Sequence, residues 1–161
     1  MTDEELCGYV RRYHGMLVRF AFSYMKNRED AEDVAQETFI RLYRCDKIFL
    51  DDGNVKAWLI RVVANLCKDM LRSRAYRHRG EQLDDIPCES AEELGLLDCV
   101  KRLNPQYSAA VYLYYYEGYS VKELAKVLGI TATAASTRLA RARSQLKKML
   151  LKEGLYDERQ T

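Results

Sequence analysis

In the stretch TATAASTRLARAR, Thr131 to Arg143, the side chains of Thr133, Ser136, Thr137, Arg138 and Arg141 fall on one side of a helix, away from Ala135 and Leu139. Hydroxyls and guanidinium groups are what base edges and phosphates accept, and one arginine can pair two acceptors of a guanine. That face reads as a nucleic-acid contact. No comparable constellation exists for covalent chemistry. The sequence holds two histidines, His14 and His78, neither with companions suited to proton transfer or metal ligation. The five cysteines (Cys7, Cys45, Cys67, Cys88 and Cys99) are odd in number, far apart and without a C-x-x-C pair. This argues against a disulfide scaffold or a zinc site; Cys7, Cys45 and Cys67 read as buried thiols. No catalytic residue, bound metal or cofactor is expected, and the protein is not read as an enzyme.

A base-reading helix must be held at a fixed angle, and the preceding residues supply the parts. Ser120 and Glu123 form the S-x-x-E pattern of a capping box, Gly129 gives a turn, and Thr131 can cap the helix that follows. Leu124, Ala125, Leu128, Ile130, Ala135 and Leu139 would form the small core between the two helices. The unit is a helix-turn-helix, whose second helix enters the major groove. Upstream, Leu94, Leu97 and Leu103 suggest a helix ending before Asn104. Asn104-Pro105 then reads as a cap with proline at the first helical position, and Gly118 closes that helix. Tyr112 to Tyr116 alternate through it and are assigned to core or partner contact.

Helical periodicity also organises the N-terminal half. Leu6, Tyr9, Val10, Tyr13, Leu17, Phe20 and Tyr24 recur at three- and four-residue steps. Asn27 can cap a second helix with the apolar stripe Val34, Ala35, Phe39 and Leu42. Asn54 can cap a third, with Val55, Trp58, Leu59, Val62, Leu66 and Met70 as its buried face. With 161 residues, 48% of them apolar, and only two prolines, the composition favours an all-α protein of two small domains.

Net charge is only +2, but it is segregated. Basic stretches around Arg61 to Arg79 and Arg138 to Lys152 flank the acidic GEQLDDIPCESAEEL. That acidic connector sets the expected organisation: residues 1–79, a linker over 80–92, and residues 93–161. The first residues carry acids where a signal peptide needs a basic and then an apolar run, and no segment has the apolar length of a bilayer span. A soluble, cytoplasmic protein is expected.

DAEDVAQETFIRLYR followed by NVKAWLIRVVANLCKDMLRSR closely resembles region 2 of the extracytoplasmic-function (ECF) sigma factors of the sigma-70 superfamily. LNPQYSAAVYLYYYEGYS and the helix-turn-helix resemble region 4 of the same family, in the same order. The resemblance implies a three-to-four-helix region 2 domain and a helix-turn-helix region 4 domain, acting in transcription initiation with core RNA polymerase and promoter DNA as partners. An anti-sigma factor is a further implied partner. It places polymerase contact on Asp33, Gln36, Glu37, Arg41 and Tyr43. Contact with the minus-ten element falls to Arg61, Asn65, Lys68, Asp69, Arg72 and Arg74. Contact with the minus-thirty-five element falls to Lys122, Thr133, Ser136, Thr137, Arg138, Arg141 and Arg143. Ala134 and Ala135 stand where the family usually has a threonine and an aliphatic residue. The alternative class is a one-component helix-turn-helix regulator, which would need a ligand pocket or dimer interface in its N-terminal half.

Overall fold

The computed structural model describes residues 1–74 and 99–152. The acidic connector, His78, Cys88, Leu94 and Leu97 lie outside them, as does the side chain of Arg74. All regular structure among the described residues is helical. The chain divides into two units, Met1–Gln82 and Leu83–Thr161.

In the first unit, α1 (Asp3–Met25), α2 (Arg28–Arg44) and α3 (Asp52–Arg74) share one core. Helix α1 starts at a capping box: the Glu5 amide donates to Thr2 Oγ1 at 3.1 Å, and the Thr2 amide donates to Glu5 Oε2 at 2.8 Å. It ends on Lys26 in the left-handed conformation, φ 63°. Asn27 then caps α2 by accepting from the Asp30 amide at 2.9 Å. So short a joint folds α2 back along α1, and Tyr43 near the end of α2 reaches Asp3 at the start of α1. Leu17, Phe20 and Tyr24 of α1 are buried as expected, as are Val34, Ala35, Phe39 and Leu42 of α2, while Leu6, Tyr9 and Val10 are half-buried.

Helix α3 departs from expectation in two respects. Its cap is Asp51, whose Oδ1 accepts from the Asn54 amide at 2.8 Å, so Asn54 is a donor inside the first turn. A carboxylate there also meets the positive end of the helix dipole, which an amide does not. The buried face is Val55, Leu59, Ile60, Val63, Ala64 and Cys67, leaving Trp58, Val62, Leu66 and Met70 half-buried. The run WLIRVVANL is apolar on more than one side, so periodicity alone leaves the inward direction open, and contact with α1 and α2 selects it. Trp58 packs edge-on against Phe49, ring centroids 5.9 Å apart. Arg12 pairs with Asp52, and Tyr13 donates to the Asp52 carbonyl at 3.3 Å, tying α1 to the start of α3.

In the second unit, α4 (Pro105–Val111) is capped by Asn104 and runs into a wide π-helical turn, Tyr112–Tyr116. Gly118, φ 69°, reverses the chain. Ser120 Oγ accepts from the Glu123 amide at 3.1 Å to start α5 (Val121–Leu128). The Glu123 carboxylate takes the Ser120 hydroxyl at 3.2 Å, so the expected reciprocal bond to the cap amide is replaced by one to the cap side chain. Gly129 adopts φ 68°, and Thr131 Oγ1 accepts from the Ala134 amide at 3.0 Å to start α6 (Ala132–Lys152). Leu124, Ala125, Val127 and Leu128 of α5 and Ala135 and Leu139 of α6 are buried, with Ile130 half-buried, while Ala142 of α6 packs with Leu103 and Val111.

Of the cysteines read as buried, Cys67 is, and burial pushes its thiol pKa up. Cys45 is half-buried and Cys7 is exposed, since α1 turns Tyr13 and Leu17 inward and leaves its first turns largely in solvent.

Candidate nucleic-acid and partner-binding surfaces

On α2, Asp33, Gln36, Arg41 and Tyr43 are exposed and Glu37 is half-buried. A helix advances about 100° per residue, so Asp33, Gln36, Glu37 and Ile40 share a crest, with Arg41 and Tyr43 on its two flanks. A groove of about 340 Å³ between α2 and α3 runs along one flank, lined by Asp33, Glu37, Ile40, Leu66 and Met70 among others. A second, about 630 Å³, lies between α1 and α2 beside Val10, His14, Phe39 and Tyr43. Glu37 accepts from Arg41 Nε at 3.0 Å. Tyr43 donates to Asp3 Oδ1 at 3.1 Å, and this bond raises the tyrosine's pKa. Ile40 is an exposed aliphatic side chain at the centre of the crest, and the reading by charge alone passed over it.

Arg61, Asn65, Asp69 and Arg72 are exposed on α3, and Lys68 beside them is half-buried. These five fall within about 100° of arc, opposite the buried face, so the helix does gather them into one stripe. Arg72 and Asp69 lie 3.9 Å apart in solvent, a weak pairing that leaves the arginine available to a stronger acceptor. Preceding α3, the connection from Cys45 to Asp51 exposes Ile48 and Leu50 at 92% and 91% while Phe49 holds it to Trp58. These two aliphatics were missed because neither carries a polar group nor fits a helical period.

On α5, Lys122 is exposed. On α6, Thr133, Ser136, Thr137 and Arg141 are exposed, and Arg138 is half-buried on the flank nearer the core. Arg143, also exposed, lies about 200° round α6 from Arg141, on the flank of Ser136. Its Nε donates to Tyr115 Oη at 2.6 Å, and its guanidinium lies 5.4 and 5.6 Å from the ring centroids of Tyr114 and Tyr115. The bond to Tyr115 raises its pKa, and the cation clasps α6 to the π-helical turn. The tyrosine run is thus divided: Tyr112 is buried and donates to Glu117 Oε1 at 2.9 Å, whereas Tyr115 and Tyr116 are more than half exposed.

Residues 9–77 match the family model of Sigma-70 region 2, and residues 93–146 match that of Sigma-70, region 4. The chain is 35% identical over 157 residues to the ECF RNA polymerase sigma factor SigE of Mycolicibacterium smegmatis, a match covering 89% of this chain and 60% of the relative. It is 32% identical over 146 residues to the ECF RNA polymerase sigma factor SigM of Mycobacterium tuberculosis, covering 87% of this chain and 74% of that protein. The chain belongs to the ECF sigma factors of the sigma-70 family. The sigma factor RpoE of Bartonella quintana, solved in complex with the anti-sigma factor NepR, shares the fold: TM-score 0.76 at 21% identity, over 91% of this chain and 97% of that one.

In this ECF sigma factor the crest and the stripe are carried by different helices of one domain, α2 and α3. Among the described residues no group of histidines, cysteines and carboxylates is placed to hold a metal ion, and no helix is long and apolar enough to cross a membrane.

Proposed function

We propose that this ECF sigma factor binds core RNA polymerase, recognises two promoter elements and stabilises the opened strand, without catalysing a covalent reaction. In this reading residues 1–79 bind polymerase and the minus-ten element, 80–92 link the domains, and 93–161 bind the minus-thirty-five element. The protein works in the cytoplasm, where polymerase and DNA are, and an anti-sigma factor is the family's implied further partner. The observation that carries the reading is the order of parts along one chain: an exposed Asp33–Gln36–Ile40 crest, an Arg61–Asn65–Arg72 stripe, then a capped helix-turn-helix. An apolar residue ringed by polar ones on a helix crest suits a partner helix, and a basic stripe with one amide suits a backbone with one base to read.

Purified protein is expected to co-migrate with bacterial core polymerase and to direct initiation from a defined start. Replacing Gln36 and Glu37 together by lysine is expected to abolish both while leaving the circular dichroism unchanged, since both side chains reach solvent. A one-component regulator would give tight operator binding without polymerase and no response to those changes, and that result refutes the proposal.

A further inference from the structure

Tyr43 belongs to the last turn of α2 and follows Gln36 by two turns, which puts it within about 20° of the same line and roughly 10 Å further along the helix. A partner lying along the crest therefore reaches it. Its ring lines the groove between α1 and α2, together with Leu6, Val10 and Ile40. A tyrosine in a helix has two χ1 rotamers open to it. The choice between them is made from the far end of α1, where Asp3 Oδ1 accepts from Tyr43 Oη at 3.1 Å. Asp3 is itself held, because Thr2 and Glu5 close a capping box around it. Both partners are exposed, so the bond shelters little apolar surface, and its main consequence is where the ring points. With the hydroxyl engaged, the ring is still 49% exposed. The bond occupies the polar tip and leaves the aromatic body to a partner, which is the part that anchors protein interfaces.

We propose that Asp3 is a positioning residue for polymerase: it holds the Tyr43 ring in the orientation that docks, and so makes the start of α1 part of the binding surface on α2. The inference rests on the reading of α2 as the polymerase-binding helix and deepens it by a residue that acts on polymerase only through Tyr43. A side chain ordered before contact spares association the cost of ordering it. A contact that held the ring back from polymerase would cover the aromatic face, and this one leaves it open.

The test is a double-mutant cycle on the affinity of the full chain for bacterial core polymerase. Tyr43→Phe keeps the ring and removes only the donor; Asp3→Ala removes only the acceptor. Each is expected to weaken binding by roughly two- to tenfold, the ordering cost of one side chain, and the double variant by no more than either alone. Asp3→Asn, whose amide oxygen still accepts, is expected to bind like the unaltered chain. An effect of Asp3→Ala that persists beside Phe at position 43 belongs to α1 itself and overturns the inference, as does equal loss in Asp3→Asn. Unchanged or tighter binding by Asp3→Ala overturns it too, the second because Asp3 would then restrain the ring. Failure of the unaltered chain to bind polymerase overturns the sigma reading and this assignment with it, whereas binding that ignores Asp3 overturns the assignment alone.

Discussion

Arg141 and Arg143 stand two positions apart in a basic run, and the helix places them about 200° apart around its axis. Arg141 projects into solvent beside Thr137, while Arg143 is held by Tyr114 and Tyr115. Arg141→Ala is expected to weaken promoter binding by holoenzyme by about 1–3 kcal/mol, concentrated on one base pair, if the side chain makes a paired contact. Equal loss on every sequence would make it a phosphate contact instead. Arg143→Ala should leave base discrimination unchanged and lower the stability of the second domain by about 0.5–1 kcal/mol, the value of an exposed cation over an aromatic face. Urea unfolding reads the second effect; a changed base preference would return Arg143 to the DNA surface. On α3, Asn65 is exposed within the basic stripe, on a different helix from the α2 crest. Asn65→Ala is therefore expected to reduce open-complex formation on duplex promoter with polymerase affinity nearly intact. Permanganate reactivity of unpaired thymines measures the opening, and normal opening by the variant would remove Asn65 from base reading.

The elements that place these residues depend on their ends, and two glycines separate backbone need from helix cost. Gly129 sits at φ 68° between α5 and α6, with no atom within 4 Å of an added Cβ, so Gly129→Ala pays only for conformation, about 1–2 kcal/mol. Gly8 lies within α1 with equally open space, and Gly8→Ala should stabilise by about 0.5–1 kcal/mol. Chemical denaturation gives both signs. At the start of α1 the hydrogen bond donated by the Thr2 backbone amide lowers the Glu5 carboxyl pKa from its ordinary 4.5. A depressed folded pKa stabilises above the unfolded value, and the contribution is lost as pH falls through the folded one. Thr2 amide shifts should follow that loss on acidification, and Glu5→Gln should flatten the titration. The caps at Asn27, Asn104, Ser120 and Thr131 were legible in the sequence because capping is local, a side chain meeting an amide two or three residues on. Asp51 was harder to read because DDGN offers several acceptors in a row. The inward face of α3 and the Arg143 clasp were not legible, since each depends on residues distant in sequence: α1 and α2 choose the first, and Tyr115, 28 positions away, chooses the second.

At the scale of the whole molecule, a net charge of +2 shared between two units leaves the free chain few phosphates to neutralise. Each neutralised phosphate contributes a slope of about −0.9 to the dependence of log affinity on log salt, so binding that rests on a few such contacts is weak and fades in salt. A partner that fixes the spacing of the two domains turns the second contact into an intramolecular one and raises its effective concentration, with no new contact to DNA. Polymerase, the partner proposed above, would supply that frame. The free protein is accordingly expected to bind promoter fragments weakly at low salt, with little sequence preference, and the holoenzyme to bind them tightly and selectively. The Gln36 and Glu37 double lysine variant should keep the weak binding or raise it slightly at low salt, since it removes no DNA contact and adds positive charge, and lose the gain from polymerase. Anisotropy titrations of one labelled promoter across a salt series, with and without core enzyme, separate the cases. Tight, sequence-selective binding by the free chain would mean that the two domains need no outside frame, and the division of labour between crest and stripe would fall with it.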